Sequence, residues 1–371
     1  SRLHGKFTVT YPNPGVPGGE NWVVGETRPV TWTTVGEVYT VNVLYTIDGS
    51  NYLTFTGGTA VANTPNGTTS INVTVPDAIS NTFKVRVVAA NDSYAKDDSN
   101  NEFNLRGKIE VLAPVTDTWQ VSDTTREIVW RVTGSIPQVK VAYSIDGGLD
   151  GYPNVITAST PATYTQITPP FLWEGKCYWV PDVPNVIGDQ LRIKVSTMDG
   201  NWQNLAAYNQ SNFKVRGKVE VVAPNGGETY LVYNNPRQTT LYPIQWRITG
   251  TVTSVRIGMS TNGAGGPFNT ILITPTGGAG LYTYNWPVSD TVTTAGLVKI
   301  WDNNYPGDTP EPVYDVSNAT FNIKSKLELT APITTTVWEV GQSGQFTWES
   351  AGSIGNVVLE YRNASGSWVE V

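Results

Sequence analysis

The chain is poor in the residues from which most active sites are made. It holds one cysteine, Cys177, and one histidine, His4, in 371 residues. A lone cysteine closes no intrachain disulfide, so stability has to come from packing. Its apolar-aromatic setting, Cys177-Tyr178-Trp179-Val180, marks it as a small core residue rather than a reactive thiol. With His4 beside a terminus, a Ser-His-Asp triad, a Cys-His pair or a histidine-ligated zinc would depend on a fraying residue, which argues against all three. Charge is sparse too, with 24 basic against 31 acidic side chains and a net charge of −7. No Lys/Arg cluster forms a patch, so the electrostatic footprint of a nucleic-acid partner is missing. No stretch approaches the ~20 apolar residues of a membrane-spanning helix, so direct membrane insertion by this chain is not expected. The opening Ser1-Arg2-Leu3-His4 is not a signal peptide, and any export signal or anchor is expected outside the chain.

What is abundant is Gly, Pro, Thr, Asn and Val, with 13 Trp and 18 Tyr. That mixture favours short aromatic-rich strands separated by turns, as in extracellular or cell-surface β-proteins. It is also repetitive. Phe103-Asn104-Leu105-Arg106-Gly107-Lys108-Ile109-Glu110-Val111 returns as Phe213-Lys214-Val215-Arg216-Gly217-Lys218-Val219-Glu220-Val221 and as Phe321-Asn322-Ile323-Lys324-Ser325-Lys326-Leu327-Glu328-Leu329. A period of about 110 residues is too long for a solenoid unit and suits a small domain with its own core. The boundaries follow: 1–105, 106–215, 216–323 and a partial repeat at 324–371. Arg2, Gly5 and Lys6 imitate the Arg-Gly-Lys junction, so the chain is expected to be a piece of something longer or a processed form.

Each repeat shows one order of strand signals. A short strand ends at Pro12, Pro114, Pro224 or Pro332, since proline cannot donate to a ladder. An aromatic follows (Trp22, Trp119, Tyr230, Trp338), then a strand with a central Trp (Trp32, Trp130, Trp246, Trp348), the expected core plugs. Alternating strands come next at Val41/Val43/Tyr45, Val139/Val141/Tyr143, Val255/Ile257/Met259 and Val357/Leu359/Tyr361. Three of them run into Asp48-Gly49, Asp146-Gly147 and Asn262-Gly263, which accept positive φ in a tight hairpin. A strand ending at Pro76, Pro181 or Pro287 and another alternating strand (Phe83/Val85/Val87, Leu191/Ile193/Val195, Val298/Ile300) complete the pattern. About seven short strands per repeat, with no helical period, describe tandem immunoglobulin-like sandwiches of two antiparallel sheets, an all-β chain. The joints contain neither Gly/Ser runs nor Pro-rich spacers, so a stiff extended array is expected, with limited bending at Gly107 and Gly217. The fourth repeat stops early, which leaves Trp348, Val357, Leu359 and Tyr361 on a half-built core that further sequence or a neighbouring chain is expected to complete.

The run Pro224-Asn225-Gly226-Gly227-Glu228-Thr229-Tyr230, with Ile244-Gln245-Trp246, the Asp146-Gly147-Gly148 turn and the Trp179-Val180-Pro181 strand end, resembles the Kre9/Knh1-type immunoglobulin-like domain. Pro17-Gly18-Gly19-Glu20-Asn21-Trp22 is a second close copy, whereas Asp117-Thr118-Trp119 and Thr335-Thr336-Val337-Trp338 depart from it. The resemblance covers the three full repeats and the partial one. It implies surface, adhesive or spacer modules in secreted and cell-surface proteins, and it implies no catalytic residues.

Chemistry outside the core is thin. Two acids about 5–10 Å apart would suffice for glycoside hydrolysis, yet the acids fall mainly in turns with no cleft segment, so no catalytic residue is assigned. Asp92, Asp97 and Asp98, and Asp302, Asp308, Glu311 and Asp315, occupy loops at the same place in two repeats. Asp97, Asp98, Asp308 and Asp315 are calcium candidates, because calcium takes six to eight oxygens, although Asp and Asn also cap loops through their own backbone. The second repeat carries only Asp199 with Asn201, Asn204 and Asn209 there. No other cofactor is expected. Trp202, Trp301 and Tyr305 beside these loops either pack on the adjacent domain or contact a glycan or protein partner. The six Asn-x-Ser/Thr sequons starting at Asn66, Asn72, Asn91, Asn209, Asn318 and Asn363 are expected by chance in such a composition. Together these signals describe a non-enzymatic structural protein that self-associates into a filament, sheath or surface layer, with an adhesin or glycan-binding protein as the second reading.

Overall fold

A computed structural model describes residues 3–163, 165–168, 171–309 and 312–371. Arg2 and Glu311 lie outside the described residues. The chain divides into two compact units, one made of Ser1–Trp119, Asp123–Val183 and Gly188–Val215, the other of Gln120–Ser122, Pro184–Ile187 and Arg216–Val371.

In the first sandwich the strands are β1 (Lys6–Tyr11), β2 (Asn21–Val23), β3 (Thr27–Val35), β4 (Thr40–Thr46), β5 (Leu53–Thr54), β6 (Val61–Ala62), β7 (Thr68–Thr74), β8 (Ser80–Ala89), β9 (Asp92–Asp98) and β10 (Phe103–Arg106). One sheet runs β1-β3-β7. The other runs β2-β10-β8-β4-β5, with β6 also on β4 and β9 on β8. Neighbours are antiparallel except β2, which lies parallel to β10. This is an immunoglobulin-like sandwich, and its alternation is the physical reason for it: β3 turns Val30 and Trp32 inward, and β8 turns Phe83, Val85 and Val87 to meet them.

The second sandwich repeats the plan. One sheet orders Lys108–Ala113, Glu127–Thr133, Leu172–Tyr178 and Thr165–Thr168; the other orders Thr118–Gln120, Phe213–Arg216, Gly188–Thr197, Gln138–Ser144 and Asn154–Pro161. In the second unit, Lys218–Ala223, Tyr242–Thr249 and Gly280–Trp286 face Thr229–Leu231, Phe321–Lys324, Thr293–Asp302, Ser254–Ser260 and Asn269–Pro275. The fourth repeat has two separate ribbons, Lys326–Ala331 with Thr347–Ala351 and Glu360–Arg362 with Trp368–Glu370.

Trp32, Trp130 and Trp246 are buried core plugs, each opposed by a residue on the neighbouring strand that fits it: Thr69, Gly175 and Tyr282. A Cβ on Gly175 would sit 2.2 Å from Trp130 Nε1, so only glycine leaves room for the ring. The indole N–H of Trp32 donates to Asn63 Oδ1 at 2.7 Å and that of Trp130 to the Ala162 carbonyl at 2.8 Å. Trp348 differs. It is 45% exposed: among the described residues the fourth repeat has only the two short ribbons, and Trp348 lines an open cavity with Leu327, Leu329, Leu359 and Trp368.

Two expectations need correction. Asp92, Asp97 and Asp98 are not in a loop: they lie on β9, a first half of the last strand, and Asp315 lies on its counterpart Tyr314–Val316. The turns at Gly49, Gly147 and Gly263 have the positive φ that was expected, but the hairpins are wide. The flanking pairs are Tyr45 with Leu53, Tyr143 with Asn154 and Met259 with Asn269. Gly107 and Gly217 also serve close packing, a role the sequence reading did not give them. A Cβ on Gly107 would meet the Thr133 carbonyl and Ile136 Cδ1 at 2.8 Å, and one on Gly217 would meet Val252 Cγ2 at 2.2 Å.

Candidate functional site

The polar side chains of this protein gather at two kinds of place, the joints between successive repeats and the outer face of the larger sheet in each sandwich. At the joint inside the first unit, Gly134, held at a φ of 86°, turns the backbone so that Ser135 meets Asp77 of the preceding sandwich. The Ser135 N–H donates to Asp77 Oδ1 at 2.9 Å and its hydroxyl to Oδ2 at 2.6 Å. The second unit contains the same device. Gly352 has a φ of 87°, and Ser353 donates its N–H and hydroxyl to Asp290 at 2.9 and 2.6 Å. These bonds hold the Asp290 carboxyl below its ordinary range. Also within the second unit, Thr251 donates its N–H to Asn185 Oδ1 at 3.0 Å and accepts from Asn185 Nδ2 at 2.7 Å.

The arginine of each Arg-Gly-Lys junction has an aromatic beside it. Trp202 lies 6.0 Å from the Arg106 guanidinium, and the neighbouring Gln203 accepts the Gly107 N–H at 2.9 Å. In the second unit, Arg216 is 1% exposed, with Tyr305 at 3.6 Å from its guanidinium and Asp308 bridging it through two bonds of 2.6 and 2.9 Å. Asp302 is buried nearby with Oδ2 lacking a hydrogen-bond partner, and burial raises its carboxyl above the usual range. Trp202 and Tyr305 are therefore joint residues. Trp301 is not: it is buried on Thr293–Asp302.

Outer-face clusters follow one scheme. In the first sandwich, Arg86 on β8 pairs in register with Asp98 on β9, its Nε at 2.5 Å from Oδ1 and Nη2 at 2.8 Å from Oδ2. Tyr52 stacks over the guanidinium at 3.5 Å and donates its hydroxyl to Asp98 Oδ2 at 2.8 Å. The counterparts are Lys194 with Tyr152 and Tyr208, and Lys299 with Tyr314 at 3.5 Å, Trp301 at 4.9 Å and Phe268. Sequence reasoning missed this set. Its signal is a basic residue between two core aliphatics, as in Val85-Arg86-Val87, Ile193-Lys194-Val195 and Val298-Lys299-Ile300, together with an aromatic a few residues after the turn glycine.

The calcium candidates do not converge on one point. Asp97 Oδ2 accepts the Val9 N–H at 2.7 Å and Asp315 Oδ2 accepts the Val221 N–H at 2.7 Å, so both tie the first strand of their sandwich to the opposite sheet. Asp98 holds Arg86, and Asp308 holds Arg216. Among the described residues no group of three or more His, Cys, Asp or Glu side chains is assembled as a metal set. His4 Nδ1 lies 2.5 Å from Asp92 Oδ2 near the chain start. Burial pushes the Cys177 thiol up to about 12, which keeps it protonated and inert at neutral pH. Among the described residues no helix is long and apolar enough to cross a membrane.

No protein-family model matches the chain, and no curated protein matches it. Among solved structures it is similar to a tetra-tandem repeat in the extending region of a large adhesion protein, at 15% identity over 88% of this chain and 76% of that one, with a TM-score of 0.29. It is also similar to the D1–D4 ectodomain fragment of ICAM-5, at 11% identity over 86% and 76%, TM-score 0.29. Fibronectin(III)-like modules of Clostridium thermocellum CbhA give 14% identity over 58% and 94%, TM-score 0.18. The immunoglobulin-like assignment rests on the strand order and register of the sandwiches themselves.

Proposed function

We propose that this is a non-enzymatic structural protein of the cell surface or extracellular space, whose tandem sandwiches associate with further copies in a filament, sheath or surface layer. The observation that carries the reading is the recurrence of one joint device in two places, Asp77 with Ser135 and Asp290 with Ser353. Two bonds from one residue to one carboxylate fix position and direction together, as a module that carries load needs. The stacking of Tyr305 on the Arg216 guanidinium supports the same reading, since it engages an aromatic that a sugar would otherwise use, whereas Trp202 lies farther from Arg106 and stays 39% exposed. That the repeats are of the Kre9/Knh1 type is part of the same proposal, supported by the resemblance of the turn and core motifs.

Sedimentation velocity over a wide concentration range tests it. The expected result is a sedimentation coefficient that rises with concentration. A single concentration-independent species that binds oligosaccharide would favour the adhesin or glycan-binding reading instead. Calcium at Asp97, Asp98, Asp308 and Asp315 is a subsidiary proposal with its own check, because a ligand of the native state raises the melting temperature by mass action. If calcium sits there, EGTA lowers the melting temperature by several degrees; no shift would leave these carboxylates with the backbone and arginine bonds they already make.

A further inference from the structure

The charged residues are unevenly placed along each repeat. Residues 49–76, 151–173 and 257–289 contain no Asp, Glu, Lys or Arg, and each run is bounded by charge: Asp48 and Asp77, Asp150 and Glu174, Arg256 and Asp290. These runs supply the strands at one margin of both sheets. In the first sandwich they give β5, β6 and β7; in the second, Asn154–Pro161 and Thr165–Thr168; in the third, Asn269–Pro275 and Gly280–Trp286. The opposite margin is built differently. Its first strands carry Lys108 and Glu110, or Lys218 and Glu220, and its second strands, Asn21–Val23 and Thr229–Leu231, are three residues long.

An edge strand presents unpaired N–H and C=O groups, and proteins that must stay apart protect such edges with charge, shortness or irregularity. One margin of each sandwich is guarded by charge or by three-residue strands; the other carries no charge at all, and only in the first sandwich is it also kept short, by the two-residue β5 and β6. In the third sandwich the uncharged strand Asn269–Pro275 (Asn-Thr-Ile-Leu-Ile-Thr-Pro), whose register shifts at Ile271, pairs among the described residues with Ser254–Ser260 alone, and Ile273 is 55% exposed. Gly280–Trp286 at the edge of the facing sheet exposes Leu281. Two copies of a chain with net charge −7 repel each other, and they approach at least cost through a margin that has no charge. An uncharged strand also pairs with its own copy without opposing like charges, whereas a Lys or Glu edge does not.

We propose that this charge-free margin is the surface by which a second copy of the chain docks, through edge-to-edge strand pairing led by Asn269–Pro275 of the third sandwich. The proposal rests on the self-association reading above and names its surface. The test compares Ile273→Lys with Val222→Lys, which places the same charge on the protected strand Lys218–Ala223, and with Ile273→Val, each first shown to melt as the wild type does. Ile273→Lys should raise the concentration for half-association at least about tenfold, while the other two leave it unchanged. Hydrogen exchange of the wild type supplies the second measurement, with amides of 269–275 slowing on association. Association unaffected by Ile273→Lys, or equally weakened by Val222→Lys, would overturn this surface and leave self-association standing. A wild type that never associates would overturn both. Protection of the same amides in the monomer by added oligosaccharide would assign the margin to a glycan and overturn the proposal.

Discussion

At the residue scale, the three buried tryptophans and the exposed fourth are one experiment in four copies. Trp130→Ala empties a site closed by Gly175 and the Ala162 carbonyl and should cost about 3–5 kcal/mol, whereas Trp348→Ala should change stability by no more than about 1 kcal/mol. Denaturation midpoints of the two variants check this. Asp98 gives a pH test. Burial pushes its carboxyl up, but the bonds from Arg86 and Tyr52 outweigh that and leave it below the ordinary range. A carboxylate lowered on folding contributes stability that is present above its unfolded pKa and is lost as pH falls through the folded value. Wild type should therefore exceed Asp98→Asn in stability at neutral pH, and the two should converge in acid. Equal stability at pH 7 would show that the outer-face cluster contributes nothing.

At the element scale, period-two patterns and turn glycines in the sequence were enough to locate Trp32, Trp130 and Trp246 and the strands around them, because burial of alternate side chains is written in adjacent letters. The position of β9 was hidden. Its Asp92 and Asp97-Asp98 read as loop chemistry, and only pairing with β8 uses them as strand residues. The partners of the joint, Asp77 and Ser135 or Arg216 and Asp308, lie too far apart in sequence for any local pattern to join them. For Arg216 the expected outcome is specific. Asp308→Asn removes one carboxylate from a buried guanidinium and should cost about 3 kcal/mol, read as an earlier transition of the second unit by differential scanning calorimetry.

At the scale of the whole molecule, the recurrence of one joint device and of one charge-free margin per sandwich joins two properties, fixed contacts along the chain and neutral edges beside it. The charge-free runs are legible in the letters alone, but their meaning depends on knowing that all of them fall on sheet margins. Electron microscopy of the protein in its native material tests self-association most directly. Ordered assemblies, filaments or sheets, built from repeated copies of this chain are the expected result. Single particles bearing isolated copies, with no contact between them at any concentration, would contradict it.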